Sequence, residues 1–119
     1  MQDFHKLKVW QKAHAATLAV YTATESFPVA ERYGLTSQMR RAASSIAANI
    51  AEGCGRSSDA DFARFLHHAM GSASELEYFL LLAADLKHLK QALQHRLTTD
   101  TQEIKRMLAA LIAKLKAES

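Results

Sequence analysis

From Phe62 to Leu115 the apolar residues of this chain recur every three or four positions, the spacing that lines one face of an α-helix. Phe62, Phe65, Leu66, Ala69, Ala73, Leu76, Leu80 and Ala83 make one stripe. Leu93, Leu97, Ile104, Leu108, Leu111 and Leu115 make another, close to the heptad spacing of helices packed at shallow angles. No strong breaker separates the two. Read as one helix, residues 59–117 would extend about 90 Å at the standard rise, with no partner long enough to cover them. A reversal near Lys87 to Gln91 is therefore expected, with helices over 59–86 and 92–117. Ser58 and Asp61 fit a capping box at the start of the first of these, where hydroxyl and carboxylate satisfy exposed backbone N–H groups.

The preceding half carries two further helical patterns. Over residues 8–26, Trp10, Ala13, Thr17, Val20 and Thr24 share a face that Val9, Ala16 and Ala23 widen. Phe27-Pro28 ends this helix, because the residue before proline is pushed toward extended geometry. Glu31-Arg32-Tyr33-Gly34 reads as a short turn. A second helix over 37–51, with Thr36 as its N-cap, has Met39, Ala43, Ile46 and Ile50 as its stripe, flanked by Ala42 and Ala47. Gly53 is expected to supply the left-handed residue that stops it, and Gly53 to Ser57 the connection. Residues 1–7 read as a frayed lead-in. Gly71 sits mid-helix, where glycine costs roughly 1 kcal/mol relative to alanine, and close packing against Ala43 and Ala47 is the expected compensation. No stretch reads as a strand. The expected fold is all-α, an antiparallel up-down-up-down four-helix bundle in which the 119 residues form one domain.

The chain is 49% hydrophobic, yet no apolar run is long enough to span a bilayer, so no membrane role is expected. The first residues mix Asp, His, Lys and Trp and show no signal pattern. The single cysteine, Cys54, cannot form an internal disulfide. Together these readings point to a cytoplasmic protein. Apolar flanks left over from the core stripes, with Ala109, Ala110, Ala113 and Ala117 on the last helix, suggest that copies of the chain associate.

The net charge of +3 is unevenly placed: residues 1–58 carry +3, residues 59–86 carry −4 and residues 87–116 carry +5. Arg40, Arg41, Arg56, Arg96, Lys105, Arg106, Lys114 and Lys116 are candidate phosphate contacts. The last-helix cations do not form one stripe: Arg96 and Lys114 share one side, Lys105 and Lys116 the other, and Arg106 lies between. A basic strip must then be assembled across helices or subunits. Most aromatic residues fall in core phase, which speaks against base stacking. Asn49, Glu52, Glu75 and Glu77 form the candidate structural polar set, as carboxylate and amide partners for Arg40, Arg41, Arg56 and the turn backbone.

No catalytic residue is nominated and no cofactor is implied. A di-iron bundle needs a Glu-x-x-His motif on each of two helices, and this chain offers only Asp85-x-x-His88, so no metal site is expected. Gly53-Cys54-Gly55 lacks the Lys-Ser/Thr that completes a phosphate loop.

Much of the chain resembles the four-helix bundle proteins encoded by intervening sequences in bacterial 23S rRNA genes, a family to which the accessory proteins of diversity-generating retroelements are similar. The resemblance rests on Trp10, Phe27-Pro28, Tyr33-Gly34-Leu35, Gln38-Met39-Arg40-Arg41-Ala42-Ala43, Ser45-Ile46, Asn49-Ile50-Ala51-Glu52-Gly53, Gly55-Arg56, Phe65-Leu66, Ala69, Gly71-Ser72 and Glu75. Many of that family have proline where this chain has Ala47, which predicts a straighter second helix here. The resemblance implies a homo-oligomer, a barrel-shaped pentamer, and in the retroelement members a partnership with a reverse transcriptase and RNA. Two functional readings stand side by side. One is a non-enzymatic homo-oligomer that binds RNA, DNA or a reverse-transcriptase-like partner through basic surface. The other is a protein–protein interaction scaffold with no nucleic-acid binding.

Overall fold

The computed structural model describes residues 2–118. Four α-helices follow one another: α1 (Lys8–Thr24), α2 (Leu35–Cys54), α3 (Asp59–Asp85) and α4 (Gln91–Glu118). No strand occurs among the described residues. Each helix packs on the next, and α4 closes on α1, while the Cα traces of α2 and α4, and of α1 and α3, nowhere approach within 8 Å. The fold is therefore an all-α four-helix bundle with α2 and α4 on one diagonal, 46 Å long and 22 by 20 Å across.

The core is built from the expected stripes. Met39, Ile46, Ile50, Leu66, Leu76, Leu80, Ile104 and Leu108 are fully buried. Each such side chain contributes about 1.5–3 kcal/mol by leaving water. Thr17 is buried without penalty, since its hydroxyl donates to the carbonyls of Ala13 at 2.8 Å and Ala43 at 3.1 Å. On α4 the buried line runs Leu97, Thr101, Ile104, Leu108, Ile112 and Leu115. Ile112 therefore takes the core position expected of Leu111, which is half-buried, as is Leu93. The helix period of 3.6 drifts off the heptad, so the buried face has moved by one residue at this depth.

The ends of α2 differ from expectation. It begins two residues early because Glu31 caps it from the preceding turn, its Oε1 accepting from the Leu35 N–H at 3.2 Å. Gly34 takes the N-cap position, and Thr36 lies buried in the first turn. Gly53 does not stop the helix. No described glycine has a positive φ, and α2 continues through Cys54 to a C-cap at Gly55. Gly53 instead allows close approach: a Cβ there would lie 2.9 Å from Phe62 Cδ1 and 3.0 Å from Phe65 Cβ. With Ala47 in place of a proline, α2 is one uninterrupted helix of 20 residues. α1 ends at Thr24, and Phe27 folds back into the core.

Ser58 caps α3, its hydroxyl accepting from the Asp61 N–H at 3.1 Å. The reversal into α4 is a Schellman closure, with His88 N–H on Ala83 O at 2.9 Å and Lys87 N–H on Ala84 O at 3.0 Å. Lys87 occupies the left-handed position that glycine usually fills, at φ 66°. That is why no breaker is visible in the sequence here. The lead-in is a 3₁₀ turn at Phe4–Lys6 rather than a frayed end, with Phe4 against Trp10 and the Gln2 N–H bonded to Cys54 O at 3.0 Å.

Gly71 is also a correction. It faces outward, and no atom beyond its own helix lies within 4 Å of where its Cβ would be. Its neighbours Ala69 and Ala73 are the fully buried small residues on this stretch of α3.

Candidate nucleic-acid interface

Because α2 and α4 are diagonal, the candidate cations divide into two sets that the protomer does not bring together. Arg40 and Arg41 sit on α2 and Arg56 just past its C-cap; Arg96, Lys105, Arg106, Lys114 and Lys116 sit on α4.

Each of the three arginines on or just past α2 is held by a neighbour. Arg40 donates from Nε to Thr24 Oγ1 at 2.9 Å and from Nη2 to Tyr21 O at 3.3 Å, and its guanidinium lies 4.5 Å above the Tyr21 ring. Arg41 bonds Gln38 Oε1 and reaches across to Glu75 Oε1 at 2.8 Å. Arg56 pairs with Glu52 one turn earlier at 2.8 Å and lies 4.6 Å above the Phe65 ring. On α4, Lys105 Nζ meets Glu77 Oε1 at 3.1 Å, and Gln102 donates to the other oxygen of that carboxylate. These bonds from Gln102 and then Lys105 hold the Glu77 carboxyl below the ordinary glutamate value of 4.5. Arg96, Arg106 and Lys114 are exposed and have no side-chain partner among the described residues. Lys116 borders a largely apolar groove of about 430 Å³ with Ala60, Ala63, His67 and Leu115.

The polar set does not converge either. Glu52, Glu75 and Glu77 each serve a different cation. Asn49 donates to Ser45 O at 2.8 Å and Ser45 Oγ at 3.0 Å, and Ser72 donates to that same Oγ at 2.9 Å. This short polar relay ties α2 to α3 and was not legible from spacing alone. His88 faces Glu31 at 3.1 Å, and no group of three His, Cys, Asp or Glu side chains suited to a metal occurs among the described residues. Cys54 is only 2% exposed, and burial pushes its thiol up, opposite to what a reactive thiolate needs.

Phe27, Phe62 and Phe65 are buried and Phe4 and Phe79 half-buried, but Tyr21, Tyr33 and Tyr78 are all exposed. Two of them stand beside the α2 arginines. Tyr21, Arg32, Tyr33, Ser37, Arg40 and Arg41 line a groove of about 400 Å³ at the start of α2. Arg32, Tyr21 and Tyr33 were missed as site residues because a turn and a helix flank carry no periodic signal that brings them together.

The profile of the 23S rRNA-intervening sequence protein family matches residues 5–110. The chain belongs to that family. A crystal structure of a protein of unknown function from the S23 ribosomal protein family of Bacteroides thetaiotaomicron is similar at 28% identity and TM-score 0.77, over 87% of this chain and 97% of its own. No curated protein matches the chain. Among the described residues, no helix of this family member is long and apolar enough to cross a membrane.

Proposed function

We propose that this protein is a non-enzymatic, homo-oligomeric accessory protein that binds RNA or DNA through basic surface, in the cytoplasm, where a lone thiol stays reduced. The observation that carries the reading is a group of exposed cations without a partner among the described residues, which includes Arg32 near α2 and Arg96, Arg106 and Lys114 on α4. Unneutralised guanidinium and ammonium groups are what release counterions from a phosphate backbone. The family's tie to rRNA intervening sequences supports the same class of partner.

Self-association is supported by exposed apolar residues on two diagonal corners, Leu18 on α1 and Tyr78 with Leu81 on α3, together with the exposed alanines Ala109, Ala110, Ala113 and Ala117. Different apolar faces on one protomer suit the head-to-tail contacts that close into rings. Light scattering on this reading gives a multiple of the 13.2 kDa chain mass, five-fold for the pentamer that the resemblance implies. Leu81→Glu reduces that mass; a single-chain particle for the unaltered protein removes the oligomer. Binding to generic RNA is expected to fall steeply with salt. The scaffold reading draws on the cations already paired inside the protomer, Arg41, Arg56 and Lys105, and no RNA or DNA binding at low salt would establish it over ours.

A further inference from the structure

We infer that the groove at the start of α2 is a binding site for single-stranded nucleic acid, one phosphodiester seated at Arg32 and the α2 N-terminus and one base stacked on Tyr33. The inference rests on the nucleic-acid reading above and assigns it to one place.

The anion-binding half begins with the backbone. The Leu35 N–H is taken by Glu31 and the Gln38 N–H by Gly34 O, but those of Thr36 and Ser37 have no partner among the described residues. Free N–H groups at the positive end of a helix dipole favour phosphate. Thr36 adds an independent polar group that opens into the groove. It is only 9% exposed, and its hydroxyl has no hydrogen-bond partner among the described residues. No fully buried side-chain oxygen there lacks a partner, so this hydroxyl opens outward, and Thr36 lines both the 400 Å³ groove and the adjoining one of about 290 Å³. Arg32 and Arg40 line the same two grooves. Arg40 is oriented by Thr24 and Tyr21, whereas Arg32 has no carboxylate partner among the described residues and is free to fork onto a phosphate. Of the nearby acids, Glu31 is already engaged by the Leu35 N–H and His88, and Glu25 lines the adjoining groove but not the one that holds Tyr33.

The base-binding half is Tyr33. Its side chain is 88% exposed, and the ring makes no aromatic or cation contact among the described residues. An exposed tyrosine beside a phosphate seat is the arrangement by which proteins hold single strands, because every base offers a π-face once it is unstacked. A duplex keeps its bases stacked and gains nothing from this ring. The groove therefore prefers single strands.

The test uses the full chain with a fluorescein-labelled oligouridylate dodecamer and a duplex of the same length, read by anisotropy across a salt series. Arg32→Gln is expected to reduce the log–log salt slope for the single strand by about 0.7, the loss of one phosphate contact. Tyr33→Ala weakens the single strand about five-fold or more and leaves the duplex unchanged, while Tyr33→Phe, which keeps the ring, binds as the unaltered protein does. Both positions are exposed, so melting by circular dichroism should not move. If the unaltered protein binds and both Arg32→Gln and Tyr33→Ala bind equally well, the site is wrong while the broader reading stands. If the unaltered protein binds neither probe at low salt, the broader reading falls and takes the site with it. If the variants lose binding only together with oligomer mass by light scattering, the groove is a subunit contact and the inference is overturned.

Discussion

Gly53 and Gly71 both sit inside helices, and their surroundings are opposite. At the end of α2, Gly53 is buried against α3 with Phe62 and Phe65 pressed onto it. In the middle of α3, Gly71 is exposed to open space. The intrinsic cost of glycine in a helix is the same at both, roughly 1 kcal/mol against alanine. At Gly53 that cost is offset by a closer approach of α2 and α3 than any other residue permits. At Gly71 the protomer offers no offset at all. A glycine in a helical pattern therefore does not report whether it ends a helix, joins two helices or faces water. The neighbour decides, and the neighbour lies on another element.

The largest effect expected from this contrast belongs to Gly53→Leu. A branched side chain placed where even a methyl meets Phe65 Cβ at 3.0 Å must push α2 and α3 apart. Overpacking of this kind costs about 3 kcal/mol or more, read as a fall in the urea midpoint at unchanged slope. An unchanged midpoint would mean that the two helices are not closed at this end. Gly53→Ala separates packing from propensity. The added methyl costs about 1–3 kcal/mol of strain and returns about 1 kcal/mol of helix propensity, leaving a modest net loss.

The same dependence on neighbours explains what was legible beforehand. The α3 stripe from Phe62 to Ala83 could be read residue by residue, since α3 packs on both α2 and α4 and its buried face is broad and strictly periodic. Ile112 could not be told from Leu111, because two adjacent apolar residues flank a slowly rotating seam. The capping of α2 by Glu31 was hidden because the cap comes from a turn whose return path is set by tertiary packing. In the candidate site, Arg40 and Arg41 stood out as charges on a helix. Arg32 and Tyr33 did not, for their meaning comes from lying beside α2's open N–H groups rather than from any spacing. The candidate cations, which by spacing already needed assembly across helices, divide between α2 with the turn just past it and the diagonal α4.

Gly71→Ala carries the contrast in the opposite direction. With nothing for the methyl to strike, the substitution should stabilise the chain by up to about 1 kcal/mol, raising the thermal midpoint. Opposite signs for the same Gly→Ala change at the two positions would establish that packing, not propensity, separates them. Loss of stability at Gly71 would mean instead that a second copy closes over it, and the mass in solution would then fall as well.

The smallest effect lies on the flank of α3 that faces α4, between these extremes of closed and open packing. Glu77 is bonded by Gln102 at 2.9 Å and Lys105 at 3.1 Å, and its carboxyl is held below its ordinary value. The unfolded chain therefore binds this proton more readily than the folded one. Stability from the contact is fully present above the ordinary glutamate value of 4.5 and is lost as pH falls through the lower folded value. Partial exposure screens the pair, so Glu77→Gln should cost only about 0.5 kcal/mol near neutral pH. The difference between the two proteins should shrink toward zero in acid, as urea midpoints measured across pH would show. A cost that stays constant from neutral to acidic pH would mean that the side chain contributes through packing alone, and that this flank of α3 is closed in the manner of Gly53 rather than tied by charge.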